Sequence, residues 1–322
     1  MSNNSLTSTV LVTGGTLGLG YECALAIAKQ KPDTLVLVAA RSDRDNAAAQ
    51  INQTTGQANT KFLALDLSSQ EDIRRFTTEF KASNYPPLTA LILNAGIQVV
   101  SGITYTKEGI ESTVGVNHVG HALLFHLLAP HLTGNSRVVI TSSGVHDPKQ
   151  KTGLPDAIYE SGELLAHPDE KTIKLEGRQR YATSKLCNVL WLYALERHRQ
   201  KQGVTWTVTA MDPGLMPGTG LARDAGPFLR FLWNHVLPRM IPLLRVTLTP
   251  NVHTAKESGE NLARLAIAKE FSDVSGKYFE GNKAIPSSDD SYFEKKQGDL
   301  WSWTVSEVSK SPDEAERFER FQ

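Results

Sequence analysis

The run Ser8-Thr-Val-Leu-Val-Thr-Gly-Gly-Thr-Leu-Gly-Leu-Gly20 reads as a strand, a turn and the first residues of a helix. Ser8 to Thr13 is short, apolar and β-branched, as a buried strand is. Gly14, Gly18 and Gly20 then give Gly-x3-Gly-x-Gly, with a helix expected from about Leu19 to Gln30. Small residues let a backbone approach a pyrophosphate, which sits at the positive N-terminus of the helix that follows. A plain strand-to-helix turn also uses glycine. A turn placed directly after an apolar strand, near the start of the chain, meets the context that dinucleotide binding requires. Gly14, Thr16, Gly18, Leu19 and Gly20 are therefore its candidate contacts.

From there the signals alternate. Thr34–Ala40 is continuously apolar, as a strand buried on both faces is. It is followed by strand Lys61–Asp66, a helix near Gln70–Lys81, strand Leu88–Asn94 and a long helix over about Gly109–His131. Strand Arg137–Ser143, the helix that carries Tyr181 and runs to about Gln202, and a sixth strand at Val204–Met211 come next. A helix near Thr254–Lys269 and a last strand at Lys277–Phe279 close the series. Such alternation predicts an α/β fold: a doubly wound parallel sheet with helices on both faces, because parallel neighbours need crossover connections. No Gly/Pro-rich linker and no repeat divides the chain, so residues 1–322 are read as one domain. Three segments stand outside the alternation: a polar insertion at 144–180, a cover at about 215–255 and a polar C-terminal tail at about 282–322. Loops of this length in a compact domain are usually functional.

A chain of 322 residues can bury roughly three quarters of its unfolded surface. Its 34 basic and 34 acidic residues balance, which argues against a nucleic-acid binder. Cys23 and Cys187 lie in apolar helical patterns and read as buried free thiols, which fits a reducing, cytoplasmic setting. The opening Met1–Thr7 is polar and uncharged, unlike a signal peptide. Pro227–Val246 is apolar, yet Arg230, Arg239, Arg245, Pro238 and Pro242 interrupt it, so a transmembrane helix is not expected. The segment is read as a cover over an apolar site, with contact to a membrane surface left open, as is a homo-oligomer.

Tyr181 and Lys185 stand four apart and share one face of a helix. An ammonium beside a phenol favours the phenolate, so the pair predicts a lowered phenol pKa and a proton donor or acceptor usable near neutral pH. The second strand ends Ala39-Ala40-Arg41, where a site selective for NAD would place Asp or Glu against the ribose 2′-hydroxyl. A guanidinium suits a 2′-phosphate instead, so NADP(H) is expected, with Asp43 the nearest competing carboxylate. Asp66 could accept from an adenine amino group, or simply cap a turn. His118 and His121 lack a third ligand at metal spacing and read as packed, hydrogen-bonded residues, so no metal is expected. Cys187, Trp191, Trp301 and Trp303 read as packing. Ser143 has no acyl-transfer context such as Gly-x-Ser-x-Gly.

Thr13-Gly-x3-Gly-x-Gly20, Asp66-Leu67, Asn94-Ala95-Gly96, Asn117, Ser143, Tyr181-x3-Lys185 and Pro213-Gly214 occur in one order, and from about residue 8 to 220 the chain resembles the short-chain dehydrogenase/reductases. The resemblance implies that Tyr181 is the acid/base and that Lys185 binds the nicotinamide ribose and lowers the Tyr181 pKa. It further implies that Ser143 positions the reacting oxygen, that Asn117 holds a water linking Lys185 to solvent, and that the remaining motif residues contact the cofactor. Val116–Leu124, Tyr181–Asn188 and Asp212–Arg223 are similar to the branch that holds retinol dehydrogenases and light-dependent protochlorophyllide reductases, as are Glu257-Ser-Gly-Glu, Ser275-Gly-Lys-Tyr and the insertion before Tyr181. The departure is Leu215, where the reductases carry a cysteine assigned a part in handling the pigment.

The expected activity is hydride transfer, dependent on NADP(H), between nicotinamide and a carbonyl or alcohol of a bulky apolar small molecule, with Tyr181 exchanging the proton on oxygen. Carbon–carbon double-bond reduction and non-catalytic NADP(H) sensing are the rivals. The complete set Tyr181, Lys185, Ser143 and Asn117 argues against a sensor.

Overall fold

Eight strands build one sheet in the computed structural model, which describes residues 6–220 and 226–322, the side chains of residues 228 and 229 excepted. The uncharged opening before Leu6 and the part of the expected cover at residues 221–225 lie outside the described residues. The elements run β1 (Ser8–Thr13), α1 (Gly18–Gln30), β2 (Thr34–Ala40), α2 (Ala47–Thr55), β3 (Thr60–Ala64), α3 (Gln70–Ala82) and β4 (Leu88–Leu93). They continue with α4 (Ser112–Val114), α5 (Gly120–Leu128), β5 (Leu132–Thr141), α6 (Gly162–Ala166), α7 (Gly177–Gln202), β6 (Thr207–Asp212), α8 (Pro227–Phe231) and α9 (Ile241–Thr247). Last come α10 (Ala255–Ile267), β7 (Lys277–Glu280), β8 (Lys283–Ile285), α11 (Glu294–Val308) and α12 (Pro312–Glu319).

The strand order is β3-β2-β1-β4-β5-β6-β7-β8, parallel throughout except for the β7–β8 hairpin. Alternate residues of each strand feed opposite layers. Leu11, Leu35, Leu37 and Leu91 pack with α3, α5, α7 and α11, whereas Val10, Val12, Val36 and Ile92 pack with α1 and α10. The expected doubly wound sheet is what forms. Its order reverses beside β1, so β1 and β4 diverge into their helices and leave a crevice at their C-terminal ends.

Three local expectations need correction, and one helix has no expectation set against it. Ala47–Thr55 is a helix, started by Asp43, which accepts from the Ala47 amide at 2.6 Å. The long helix expected over Gly109–His131 begins only at Ser112 and carries a π-helical turn, Gly115–Val119, in its middle. Such turns cluster at functional sites. The insertion 144–180 is less irregular than its composition implies: it contains α6, and α7 already begins at Gly177. The tail 282–322 is not a polar appendage. It forms β8, α11 and α12, and it buries Leu300, Trp301, Val305 and Phe318 against α5 and α7. Arg74 on α3 clamps it by an ion pair to Glu314 at 2.7 Å. The tail and the insertion also grip each other: Tyr159 donates to Asp299 at 2.6 Å and Trp303 to Glu163 at 3.1 Å.

Candidate active site

The glycine turn is built for close approach. A Cβ at Gly20 would fall 2.2 Å from the Gly14 carbonyl oxygen, so only glycine lets the helix start so near the turn. Gly18 has φ +53°, with only Thr219 Cγ2 at 4.0 Å from where a Cβ would stand. Leu17, at the N-cap of α1, makes no side-chain cap, and the first turn carries no acid. The amides that open α1 are thereby left to a ligand, and the positive helix end favours an anion. Thr16 is nearly buried in the same turn. The residues present fit a dinucleotide pyrophosphate.

Beneath the turn, Thr13 ties three elements together. Its Oγ1 accepts from the amides of Asn94 at 2.8 Å and Ala95 at 3.0 Å. Asn94 returns a hydrogen bond from Nδ2 to the Thr13 carbonyl at 2.9 Å and accepts from Thr141 at 3.3 Å. His121 completes the knot. The Asn117 carbonyl, 3.2 Å from Nδ1, can only accept, so His121 carries its proton there, and Nε2 accepts from the Thr13 hydroxyl at 2.9 Å. His118 sits 2.8 Å from Thr304. Both histidines are packed and hydrogen-bonded as expected, and among the described residues no cluster suits a metal ion.

At the far side of the crevice Arg41 is exposed beyond the end of β2. Asp43, the carboxylate that could have opposed a 2′-phosphate, is engaged with the amides of Ala47 and Ala48. Asp66 accepts from the amide and hydroxyl of Ser68 at 2.9 and 2.6 Å, so it does cap a turn. Leu67 is buried, and its carbonyl lies against Gly120 at the start of α5.

Tyr181 and Lys185 share one face of α7, with Lys185 Nζ 5.6 Å from the Tyr181 ring centre. Lys185 is 3% exposed; its Nζ donates to the Thr141 carbonyl at 3.1 Å, and the Ser142 hydroxyl holds the Lys185 carbonyl at 2.9 Å. Gly96 comes close as well, since a Cβ there would stand 3.7 Å from Nζ. Arg180, just before Tyr181, fixes the start of α7 through buried Glu111 at 3.4 Å and the Leu175 and Gly102 carbonyls. Ser143 follows β5, its Oγ accepting from the Val145 amide at 3.4 Å. The Asn117 side chain is held on two sides: Oδ1 accepts from Ile97 N at 2.8 Å, and Nδ2 donates to Ile97 O and Ser184 Oγ, both at 3.0 Å. It shapes the loop after Gly96.

The electrostatics depart from the expectation. Burial, reinforced by the charge of Asp212, raises the Tyr181 phenol above its ordinary pKa, and the neighbouring ammonium does not offset this. Burial pushes Lys185 down to about 8, against the opposing pull of Asp212. Asp212 is a site residue that the sequence reading passed over, although Asp212-Pro-Gly was in view. It ends β6, 3% exposed, accepting from Gly214 N at 3.0 Å and Asn251 Nδ2 at 2.7 Å. Asn251 in turn accepts from His253 at 3.0 Å. Pro213 is held by Ser258 at 2.6 Å.

The segment expected as a cover starts and ends here. Leu215 pairs with the backbone of Asn251 and His253, both at 2.9 Å, which joins the two ends of the segment between them. Thr219 brings its first turn over the glycine turn, and Trp233 Nε1 donates to the Thr219 carbonyl at 2.9 Å.

Residues 8–153 match the short chain dehydrogenase family model, and residues 222–313 match the AcuH dehydrogenase domain. Protochlorophyllide reductase of Avena sativa is 30% identical over 297 residues, covering 85% of this chain and 89% of that protein. Polyprenol dehydrogenase of Homo sapiens is 29% identical over 297 residues, covering 91% and 82%. A solved structure of an uncharacterized protein from Mycobacterium paratuberculosis shares the fold at a TM-score of 0.67, with 22% identity and 94% of each chain covered. The chain belongs to the short-chain dehydrogenase/reductase family, whose members use nicotinamide cofactors, and it falls in the branch that resembles retinol dehydrogenases and protochlorophyllide reductases.

Proposed function

We propose that this protein is an NADP(H)-dependent oxidoreductase acting on a carbonyl or alcohol of a bulky apolar molecule, with Tyr181 as general acid/base. The observation that carries the reading is the buried Lys185 ammonium 5.6 Å from the Tyr181 ring, anchored on the Thr141 carbonyl beside Gly96. The bound nicotinamide supplies or accepts the hydride. Gly14, Thr16, Gly18, Leu19 and Gly20 hold the pyrophosphate, Arg41 the 2′-phosphate, and Asp66 and Leu67 the adenine end. Asn94, Ala95, Gly96, Pro213 and Gly214 line the nicotinamide end, where Lys185 takes the ribose hydroxyls. Ser143 orients the substrate oxygen, and Asn117 is a positioning residue.

A phenol held above its ordinary pKa is protonated at neutral pH. Tyr181 gives its proton to the substrate oxygen in reduction and takes it back in oxidation. The chain works as one domain, with the cover excluding water from the crevice. A long isoprenoid alcohol, the substrate class named in polyprenol dehydrogenase, fits an apolar cover. The likeness to protochlorophyllide reductase favours a second reading, double-bond reduction, in which the same Tyr181 protonates carbon. Following NADPH absorbance with a panel of apolar ketones, aldehydes and enones tests both. Turnover with ketones or aldehydes supports the first reading; turnover with enones alone supports the second. NADPH binding without turnover would leave a sensor.

A further inference from the structure

The cover has an outward face that no part of the described chain covers. Met240, Leu243 and Val246 are spaced three apart along α9 and its N-cap, and they are 37%, 53% and 87% exposed. Leu248 at 63% and Phe231 at 57% are exposed on the same segment. The opposite side of α9 is apolar too, with Ile241 buried at 4%. A surface helix ordinarily turns its polar side to water, so a helix apolar on both sides has a second apolar neighbour.

Charge selects that neighbour. From Gly226 to Lys256 the sequence contains Arg230, Arg239, Arg245 and Lys256 and not one Asp or Glu. Arg245 is turned inward to Glu257 at 2.7 Å, while Arg230 and Arg239 are exposed. Apolar side chains flanked by arginines, on short helical pieces broken by Pro238 and Pro242, match a segment lying flat in an anionic lipid interface.

We propose that this face docks on the surface of an anionic phospholipid bilayer. Phe231, Leu243, Val246 and Leu248 enter the boundary between headgroups and acyl chains, and Arg230 and Arg239 meet the headgroup anions. The inference rests on the proposed activity only for calling the segment a cover of the crevice. Its consequence is that the crevice opens where an apolar substrate dissolves.

The test uses the full chain and no catalysis, so it can fail without touching the proposed activity. Flotation is measured with vesicles of phosphatidylcholine alone and of phosphatidylcholine mixed with phosphatidylserine. Binding to the mixed vesicles is expected to be tighter by about tenfold or more and to weaken with added salt. Arg230→Ala and Arg239→Ala should each weaken it about fivefold. Leu243→Asp combined with Val246→Asp should abolish it at an unchanged melting temperature and elution volume. Should that double variant misfold, the two arginine variants decide. Failure to float with the mixed vesicles overturns the proposal. So does a dimer in solution that the aspartate variant converts to monomer, which would assign the face to a second copy.

Discussion

The buried imidazole of His146 donates from Nδ1 to the carbonyl of Ser143 at 2.7 Å. Because that oxygen can only accept, the other ring nitrogen is an acceptor, and it takes the Ser288 amide at 3.1 Å. One side chain thus joins the residue that follows β5 to the C-terminal extension. His146→Phe leaves the Ser288 amide without its partner and the Ser143 carbonyl with only the backbone amide of residue 146 at 3.2 Å, and should cost about 1–3 kcal/mol of stability together with a drop in kcat as Ser143 shifts. His146→Gln, which keeps a donor and an acceptor, should recover part of each. Urea unfolding and kcat measured on the two variants check this; equal behaviour of Phe and Gln would remove the positioning role.

Tyr181→Phe keeps the ring and loses the proton. Turnover should fall about 10²–10⁴-fold, the typical contribution of general acid–base catalysis, with NADPH affinity by fluorescence titration nearly unchanged. A variant retaining most of its kcat would sink the assignment. Lys185 adds a pH signature. Its ammonium titrates at about 8, so the charged form is lost above that pH and activity should decline there. Lys185→Ala should weaken both cofactor binding and turnover.

Cofactor choice should follow Arg41. Its loss removes a charge-assisted contact worth roughly 1.5–3 kcal/mol. Arg41→Ala should therefore weaken NADPH by about tenfold or more and spare NADH in parallel titrations. Equal losses for both nucleotides would make Arg41 structural. A wild type that prefers NADH would refute NADP(H) outright.

Acid should loosen the fold through the histidines beside α7. Burial holds His118 and His126 at about 3 and His121 at about 4, against an ordinary 6.5. Between those values the unfolded chain binds the protons and the folded chain does not. Their contribution is therefore complete above pH 6.5 and is lost as pH falls toward 4 for His121 and toward 3 for the other two, at up to about 1.4 kcal/mol per pH unit for each. Urea midpoints taken in steps from neutral pH downward should drop steeply across this window; a flat profile would contradict the burial of the three rings.

Protochlorophyllide should not be a substrate despite the 30% identity. The isobutyl group of Leu215 can neither donate a proton nor be polarised as a thiol can. Illumination with pigment and NADPH is expected to yield no chlorophyllide band, and a band growing at an enzymatic rate would reverse this.

What could be read from the chain beforehand was the chemistry that depends on near neighbours. Gly14, Gly18 and Gly20 follow their strand directly, and Tyr181 and Lys185 need only helical spacing, so both motifs were legible. The sheet was legible because its strands are continuously apolar. Asp212 and His146 were not singled out, because their partners Asn251 and Ser288 arrive from distant segments. Distance in sequence hid α11 and α12 as well. Leu300, Trp301 and Val305 sit among charged residues, and their burial comes from α5 and α7. The expected lowering of the Tyr181 pKa failed for another reason: spacing reports a neighbouring charge but not the burial that opposes it.

The clasp of Tyr159 on Asp299, with Trp303 on Glu163, bears on how the protein is made. On the ribosome, the sheet from β1 to β6 can pair strand by strand as it emerges. The clasp cannot close until Asp299 and Trp303 have left the exit tunnel, nor the Arg74 ion pair until Glu314 has, and contacts so far apart in sequence form late. A nascent chain would therefore carry its glycine turn and its Tyr181 helix well before it had a finished site. The brace that His146 gives Ser143 would likewise arrive only with Ser288, after most of the fold is in place.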